Sequence, residues 1–248
     1  MDEEFSKRMS AAVGKQRVIE LAKDCNKILD LGAGNGIIAK ALADMGKEVD
    51  AVEVDPNVKK PANVKWHTCD IIDFLWKTKK QFDCIIISAV LHELSPYEIS
   101  LIGSYMKDAM LPECKIIIRE PFITDYLLNE IYAYDKKLLA MSIAEKKKKE
   151  YFKAEKKGRD VDEEDVLDLL NCAFAISYGE RSWAREKHEM RYCHKLEPVI
   201  YQLNAGFRHI AIELEKDESY KTHFNANGLP ADILDKVNYT SMIVVLTV

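Results

Sequence analysis

Over the first 120 residues, short runs of apolar and β-branched side chains alternate with stretches whose apolar residues recur at helical spacing. Runs that are apolar at nearly every position are typical of strands buried on both faces, as in a parallel sheet. The runs predict strands at residues 27–31, 48–54, 64–68, 82–88 and 115–119, with helices at 35–45 and 96–110. This alternation predicts an α/β fold whose doubly wound sheet carries helices on both faces.

Two of the predicted helix ends carry local signals. Gly46 follows the first helix and is predicted to end it, because glycine tolerates the left-handed backbone found there. Ser95 and Glu98 have the spacing of a capping box, and Pro96 suits the first turn of the second helix. Both helices are therefore expected to have well-defined ends.

The pattern changes after residue 121. Residues 124–183 contain no convincing strand, and their apolar side chains recur at helical spacing. Residues 145–165 hold eight basic and eight acidic side chains, which predicts a solvated helical face or a loop, with a binding patch as the alternative. Strand-like patterns return at residues 207–214 and 242–248. We therefore predict one domain, residues 1–248, with a helical insert at residues 124–183.

The composition is that of a globular protein, with 48% hydrophobic and 31% charged residues among 248. The net charge of -5 argues against non-specific binding to nucleic acids. No apolar run approaches the ~18 residues that cross a bilayer, and the charge pattern of the first ten residues predicts no secretory signal. The six cysteines have long, irregular spacings, which predicts reduced thiols in a cytoplasmic protein.

The strongest local motif lies at residues 28–36, where a predicted strand leads through Gly32, Gly34 and Gly36 into a helix. Glycines let the backbone approach a ligand closely, and the helix N-terminus offers amides without partners inside the helix. A dinucleotide-binding fingerprint would have its third glycine at position 37, which is Ile37. A phosphate-binding P-loop would continue with Lys and then Ser or Thr, which are absent.

The segment at residues 30–36, with an acid two residues before its first glycine, resembles the first motif of class I S-adenosylmethionine-dependent methyltransferases. The resemblance covers residues 10–120 and resumes at residues 205–207, which look like the turn into the family's sixth strand. It implies a Rossmann-like sheet of seven strands, the last antiparallel, with the helical insert between strands 5 and 6. It also implies S-adenosylmethionine as the cofactor and S-adenosylhomocysteine as the product.

Further landmarks follow in the order that this family shows. Glu53 lies 21 residues after Gly32, about where a ribose-binding acid belongs in a nucleoside-binding α/β unit, and Asp55 competes for that role. Asp70 follows the third strand, as the family's adenine-contacting Asp does, although Asp is also common in turns. By this resemblance the cofactor-binding residues are Asp30, Gly32, Ala33, Gly34, Gly36, Glu53, Val54, Asp70, Ile71 and Ser88.

The acceptor side of the predicted site follows the fourth strand. His92 and Glu93 lie just past its end, and similar Leu-His segments occur here in family members that act on small molecules. His92 is the predicted general base that takes a proton from the acceptor, and Glu93 is the second candidate. The alternative is a histidine that is hydrogen-bonded for structure or that lines the methionine part of the cofactor.

Three more residues are candidate substrate contacts. Arg119 ends the fifth strand at the same face and would suit a carboxylate or phosphate, or would pair with Glu120 or Glu93 as part of the scaffold. Trp183 and Arg185 follow the insert and are predicted to face the cleft or to brace the insert.

Several motifs are missing. His188 and Glu189 begin like a zinc-binding helix, but Tyr192 stands where the second His belongs, so we predict no metal. Residues 88–91 read Ser-Ala-Val-Leu. Amino-directed DNA methyltransferases resemble one another in a Pro-Pro-Tyr/Phe box at this place, and cytosine C5 enzymes have a Pro-Cys pair. Both motifs are absent from these residues. DNA is therefore an unlikely acceptor by this prediction.

We predict an S-adenosylmethionine-dependent methyltransferase that acts on an O or N atom of a small-molecule acceptor. Residues 88–94, 116–120 and 183–186 also loosely resemble a set of uncharacterised phage and bacterial methyltransferase-domain proteins. One alternative is an RNA or protein acceptor, for which the lysines at 146–149 are the cue. The other is a non-catalytic cofactor-binding protein that regulates a partner. The sequence does not predict an oligomeric state.

Overall fold

The computed structural model describes residues 13–120, 122–123, 194–203, 209–215 and 241–247. The chain forms two compact units. The first comprises Met1–Glu120, Glu197–Leu214 and Ser241–Val248, and the second comprises Pro121–Leu196 and Glu215–Thr240. The predicted insert at residues 124–183 falls outside the described residues, so the insert and the single domain that would contain it stay predictions.

The described elements alternate between strand and helix up to residue 120. The strands are β1 Lys27–Leu31, β2 Glu48–Val52, β3 Lys65–His67, β4 Phe82–Ser88, β5 Met110–Glu120, β6 Phe122–Ile123, β7 His194–Lys195, β8 His209–Glu215 and β9 Ser241–Thr247. The helices are α1 Val13–Ala22, α2 Ile37–Asp44, α3 Ile71–Lys77, α4 Pro96–Ala109 and α5 Leu196–Leu203, and a 3₁₀ turn spans Leu91–Glu93.

Seven of these strands form one sheet in the order β3-β2-β1-β4-β5-β9-β8. The first five strands pair in parallel, and β9 runs antiparallel to β5. The order reverses between β1 and β4, and ligands of open α/β sheets bind at the carboxyl ends of the strands flanking such a point. The α/β sheet of seven strands with an antiparallel last strand is confirmed. In the second unit, β6 pairs in parallel with β7.

The core of the first unit explains why the central strands are apolar at nearly every position. On one face of the sheet, fully buried isoleucines of four neighbouring strands lie in one cluster with residues of α1 and α2. They are Ile28, Ile86, Ile117 and Ile243. Successive side chains of a strand point to opposite faces, so the neighbouring Leu29, Ile85 and Ile118, buried as well, belong to the other face.

Local capping chemistry fixes the ends of α2 and α4. Ser95 and Glu98 form the predicted capping box, in which the Glu98 carboxylate accepts from the Ser95 amide at 2.7 Å. Pro96 stands at the start of α4. After α2, Gly46 has a φ of 83°, the left-handed conformation expected of a residue that ends a helix.

Strand β5 begins earlier than the sequence predicts. The prediction began at residue 115, after Pro112 and Glu113, two residue types that are uncommon inside strands. The structure includes both residues by shifting the register, since Phe82 pairs with Met110 and Cys84 pairs with Lys115. Glu113 adopts a left-handed φ of 64° in this irregular stretch. The extra residues are therefore accommodated as a bulge rather than as a loop.

No helix within the described ranges combines the length and the apolar character needed to span a bilayer.

Candidate functional site

The glycine-rich loop begins where β1 ends. Gly32, Gly34 and Gly36 have φ values of 68°, 54° and 67°, a region that side chains rarely adopt. The amides of Gly32 and Ala33 donate to the Val52 carbonyl at 2.9 and 3.0 Å, which attaches the loop to the end of β2. Gly36 is the N-cap of α2. The sequence prediction of a strand, a glycine turn and a helix is therefore observed in the backbone.

Glu53 connects the glycine loop to the segment after β2. Its Oε2 accepts from the Gly34 amide at 2.8 Å, and its Oε1 accepts from the Asp55 amide at 3.0 Å. The competing acid, Asp55, is exposed and accepts from the Asn57 amide at 2.8 Å. The structure thus places the carboxylate of Glu53, rather than that of Asp55, against the loop. Val54, between them, is 68% exposed.

Asp30, the next-to-last residue of β1, is almost completely buried. Burial raises the pKa of its carboxyl from 3.8 to about 7, and the nearby charge of Glu53 adds to that rise. The charge of Lys15 and a backbone hydrogen bond from Ala39 act in the opposite direction. Asp30 therefore changes its charge near neutral pH, directly below the glycine loop.

Lys15 of α1 was not identified from the sequence as a member of this cluster. Burial lowers the pKa of its ammonium to about 8, the charge of Arg119 lowers it further, and Asp30 opposes both. Arg119 itself is buried near the end of β5. These three ionisable groups come from α1, β1 and β5, so only the folded chain brings them together.

Asp70 has the local role in a turn that the sequence offered as the alternative to an adenine contact. It is the N-cap of α3, and its Oδ1 accepts from the amides of Ile72 and Asp73 at 2.7 and 3.4 Å. Ile71 begins that helix and is half-buried. Glu53 follows β2, and α3 follows β3. These two strands are neighbours in the sheet.

The backbone after β4 is strained at a single residue. Ser88 ends the strand and pairs with Arg119 of β5. Ala89 then adopts a left-handed φ of 59°, and its amide donates to the Arg119 carbonyl at 2.8 Å. A non-glycine residue in this region is uncommon and often accompanies a functional site. The turn aims the next residues back towards the end of β5.

Glu120, the last residue of β5, organises the segment after β4. It is 1% exposed. Its Oε1 accepts from the amides of Val90 and Leu91, the latter at 2.8 Å. Its Oε2 lies 2.9 Å from Nδ1 of His92. A carboxylate of this kind only accepts, so Nδ1 of His92 carries the proton and donates it.

His92 is buried, at 8% exposure, and its second nitrogen is directed towards Glu93. The distance from Nε2 of His92 to Oε1 of Glu93 is 3.8 Å, and the Glu93 side chain is 48% exposed. The two predicted candidates for the general base are therefore neighbours. The structural hydrogen bond that was the alternative for His92 is present on Nδ1, and Nε2 lies on the side of Glu93.

Sequence reasoning missed Glu120 as a site residue and named it only as a scaffold partner for Arg119. Its contacts span 28 to 30 residues along the chain, and no local pattern reveals them. The one available signal was an acid at the end of a buried strand, on the ligand-binding edge of the sheet. Trp183 and Arg185 lie outside the described residues.

No group of three or more His, Cys, Asp or Glu side chains suited to a metal ion occurs within the part of the chain that the structure describes.

The comparisons with known proteins agree with this geometry. The family model described as a methyltransferase domain matches residues 2–144, more than half of the chain. No curated protein matches the sequence.

Several solved structures share the fold. A SAM-dependent methyltransferase from Archaeoglobus fulgidus superposes with a TM-score of 0.58 at 16% identity, covering 99% of this chain and 97% of that one. The N-methyltransferase NodS from Bradyrhizobium japonicum, in complex with S-adenosylhomocysteine, has a TM-score of 0.51 at 14% identity and coverages of 99% and 88%. A putative O-methyltransferase from Nostoc punctiforme has a TM-score of 0.55 at 13% identity and coverages of 98% and 59%.

At these identities the structural similarity by itself shows the fold. The glycine loop, the acid bonded to it and the matched family model together add the cofactor and the reaction class. The chain belongs to the methyltransferase-domain family and is an S-adenosylmethionine-dependent methyltransferase of the class I, Rossmann-like fold.

Proposed function

We propose that this enzyme transfers the methyl group to an O or N atom of a small-molecule acceptor, and that His92 is the general base. The hydrogen bond of 2.9 Å between Nδ1 of buried His92 and Glu120 carries this proposal. Solved structures of similar fold include an N-methyltransferase and a putative O-methyltransferase, which supports acceptors of this kind.

The residues of the glycine loop fit the cofactor. A Cβ built on Gly34 would meet no atom of the described residues within 4 Å, so within that part of the chain open space lies above this backbone for a ligand. The Glu53 carboxylate, already bonded to the Gly34 amide, is the proposed acceptor for the ribose hydroxyls. In its ionised form Asp30 places a negative charge close to the loop, which would favour the cationic methionine end of the cofactor.

The remaining proposed cofactor contacts follow from position. Val54 is exposed next to Glu53 and would cover an apolar part of the nucleoside. Ile71 would pack on the adenine, and Asp70, which uses Oδ1 as a helix cap, would accept from the exocyclic amine through Oδ2. Ser88 ends β4 beside the glycine loop strand. S-adenosylmethionine supplies an activated methyl group on a sulfonium when it is bound.

The protein's chemical contribution is to orient the acceptor and to remove its proton. With Nδ1 donating to Glu120, neutral His92 has its lone pair on Nε2, the nitrogen that would accept the acceptor's proton. The positive charge that then develops on the ring is stabilised by Glu120, which the Val90 and Leu91 amides hold in place. Proton transfer of this kind contributes about 10²–10⁴-fold in rate. Glu93 is the second candidate base.

The proposal also includes assignments that rest on sequence pattern. Residues 124–183 would form a helical insert within a single domain, and Arg119, Trp183 and Arg185 would contact the acceptor. The free thiols among the described cysteines favour a cytoplasmic enzyme. An RNA or protein acceptor, or cofactor binding without catalysis, are the alternatives that the experiment below distinguishes.

The cofactor site is tested by calorimetric titration of S-adenosylmethionine and S-adenosylhomocysteine. We expect Glu53→Gln to weaken binding by about 1–3 kcal/mol, roughly 5- to 150-fold, because a polar ligand contact is left without its partner. Asp55→Asn is the matched control, since the carboxylate of this neighbouring acid accepts from the Asn57 amide, and its affinity should equal that of the unaltered protein. Equal affinity in both variants would contradict the assignment of Glu53.

The acceptor is tested by measuring S-adenosylhomocysteine formation with panels of phenols, carboxylic acids and amines, with RNA at two salt concentrations, and with a panel of proteins. With a productive acceptor, His92→Gln should lower kcat about 10²–10⁴-fold and leave cofactor affinity unchanged. Turnover only with RNA, falling steeply with salt, would overturn the small-molecule proposal. Cofactor binding without turnover on any panel would support the non-catalytic alternative.

A further inference from the structure

Three buried cysteines lie together at the amino-terminal edge of the sheet, opposite the glycine loop. Cys25 lies two residues before β1, Cys84 lies near the start of β4, and Cys114 lies in β5. All three are free thiols. Cys25 is 8% exposed, whereas Cys84 and Cys114 are completely buried. Solvent therefore reaches only Cys25 within this group.

The backbone fixes Cys25 next to Cys84. Parallel pairing of β1 with β4 places Ile28 beside Cys84, three residues after Cys25. The carboxylate of Asp83, which precedes Cys84, accepts from the amides of Asn26 and Lys27 at 2.9 and 3.0 Å. Cys25 and Cys84 belong to the same core cluster. The entry to β1 is thus attached to the residue before Cys84, which holds the segment of Cys25 close to that of Cys84.

The charged groups around Cys25 favour its thiolate. The side chain of Cys84 is the main cause that lowers the pKa of Cys25 to about 7. The charges of Lys115 and Lys47 act in the same direction, while burial and Asp83 oppose it. Lys115 is held in place by donating from Nζ to the Leu21 carbonyl, at the end of α1, at 2.8 Å.

The other described cysteines have the opposite environment. Burial raises the pKa of Cys114 to about 12. The pKa of Cys84 is raised by the side chain of Cys25 and by burial. Cys69 is more exposed than Cys25, but burial and the nearby carboxylates of Asp70 and Asp73 raise its pKa. Exposure alone would therefore select Cys69, whereas thiolate character selects Cys25.

We propose that Cys25 and Cys84 are a peroxide-sensitive thiol pair, in which Cys25 is oxidised first and Cys84 then closes a disulfide. The Cys25 thiolate attacks one oxygen of a hydroperoxide, the O–O bond breaks, and the departing alkoxide or hydroxide takes up a proton. Cys25 becomes a sulfenic acid. The Cys84 sulfur then attacks the Cys25 sulfur, the S–O bond breaks, and the Cys84 proton leaves with the hydroxyl as water.

The bond would attach the entry of β1 to the middle of the sheet. A link between positions 25 and 84 closes a long loop of the unfolded chain, and closing a long loop disfavours unfolding. We expect the oxidised protein to unfold at a temperature on the order of 5–10 °C higher than the reduced protein. The proposal uses none of the residues assigned to methyl transfer, so it stands or falls independently of the proposed function.

The test uses the full chain with Cys172→Ser and Cys193→Ser, so that only the four described cysteines react. After treatment with hydrogen peroxide, peptide mass spectrometry without reduction should show residue 25 linked to residue 84, with a loss of two hydrogens that dithiothreitol reverses. In the added variant Cys84→Ala, a sulfenic-acid trap such as dimedone should label Cys25. Cys114→Ala is the matched core control and should leave the 25–84 link unchanged.

A second measurement needs no variant in the core. The rate of Cys25 alkylation by iodoacetamide should rise about tenfold from pH 6 to pH 8, as expected for a thiol with a pKa near 7, rather than about a hundredfold as for an ordinary thiol. The proposal is overturned if Cys69 is oxidised before Cys25, if Cys25 links to Cys114 instead, or if the alkylation rate rises a hundredfold.

Discussion

Asp30 and Glu120 are two buried carboxylates on strands that both flank β4, and they differ in the hydrogen bonds that they accept. They are 2% and 1% exposed, respectively. Glu120 accepts hydrogen bonds from two backbone amides and from His92. Asp30 has one backbone bond and the charge of Lys15, and its pKa rises to about 7. The two acids are buried to almost the same extent. They differ in the number of hydrogen-bond donors directed at each carboxylate.

The difference assigns the two acids different kinds of work. Glu120 is a fixed acceptor that holds the 3₁₀ turn and orients His92. Asp30 responds to its surroundings, because a cation placed beside the glycine loop would lower its pKa and favour its ionised form. Cofactor binding is therefore expected to release protons when it is measured below neutral pH, and the release should be absent in Asp30→Asn.

The largest expected effect is the loss of Glu120. Glu120→Ala leaves the amides of Val90 and Leu91 and the ring of His92 without their acceptor inside the protein, which should lower the free energy of unfolding by about 3–5 kcal/mol. Urea denaturation measures this change. Glu48→Ala is the control, because this exposed acid on β2 contributes only a surface ion pair with Lys27 at 3.5 Å. A loss below about 1 kcal/mol for Glu120→Ala would remove the contrast with Asp30.

The second effect is the pH dependence that Asp30 produces. Its folded-state pKa is raised above the unfolded value, so the folded state binds the proton more tightly and the protein loses stability as the pH rises towards 7. Between pH 5 and pH 8 this group should remove on the order of 3 kcal/mol from the free energy of unfolding. Asp30→Asn should flatten that part of the profile, whereas the exposed Asp55→Asn should leave its slope unchanged.

The smallest expected effect tests whether the glycine loop beside Asp30 contacts the segment that Glu120 holds. A Cβ on Gly32 would overlap the side chain of Val90, whose amide Glu120 holds, whereas a Cβ on Gly34 meets nothing. Both glycines have a left-handed φ, so Gly34→Ala should cost about 1 kcal/mol and Gly32→Ala about 2–3 kcal/mol. Thermal unfolding measures both. Combining Gly32→Ala with Val90→Ala should recover part of the difference, and independent additive losses would show that the two sites do not touch.

The parts of the fold that were predictable from sequence are those set by local pattern and burial. Strands β1 and β4 have the predicted bounds because each is buried along nearly its whole length. The capping box at Ser95 and the turn at Gly46 depend on residues within a few positions of each other. Strand β5 was predicted too short because Pro112 and Glu113 are tolerated through a register shift, which only its pairing with β4 reveals.

In the candidate site, too, the residues set by local sequence were predictable, and those joined by contacts between distant elements were not. The glycine loop and Glu53 were predictable, since their spacing in the sequence sets their position in a βαβ unit. Neither the contact of Glu120 with His92 nor the cluster of Lys15, Asp30 and Arg119 was predictable, because each joins elements far apart in the chain. The same holds for the pairing of Cys25 with Cys84, which two irregularly spaced cysteines give no reason to expect.

The position of β9 also bears on how the protein is made. This strand follows every other strand of the sheet in the chain, yet it lies between β5 and β8. During translation the earlier strands emerge first, and domains begin to fold as they emerge. Until residues 241–247 leave the ribosome, β5 has an open edge of unpaired amides and carbonyls. In the growing chain this edge of β5 therefore lacks its partner strand β9 until residues 241–247 have been made, and an unpaired strand edge favours aggregation.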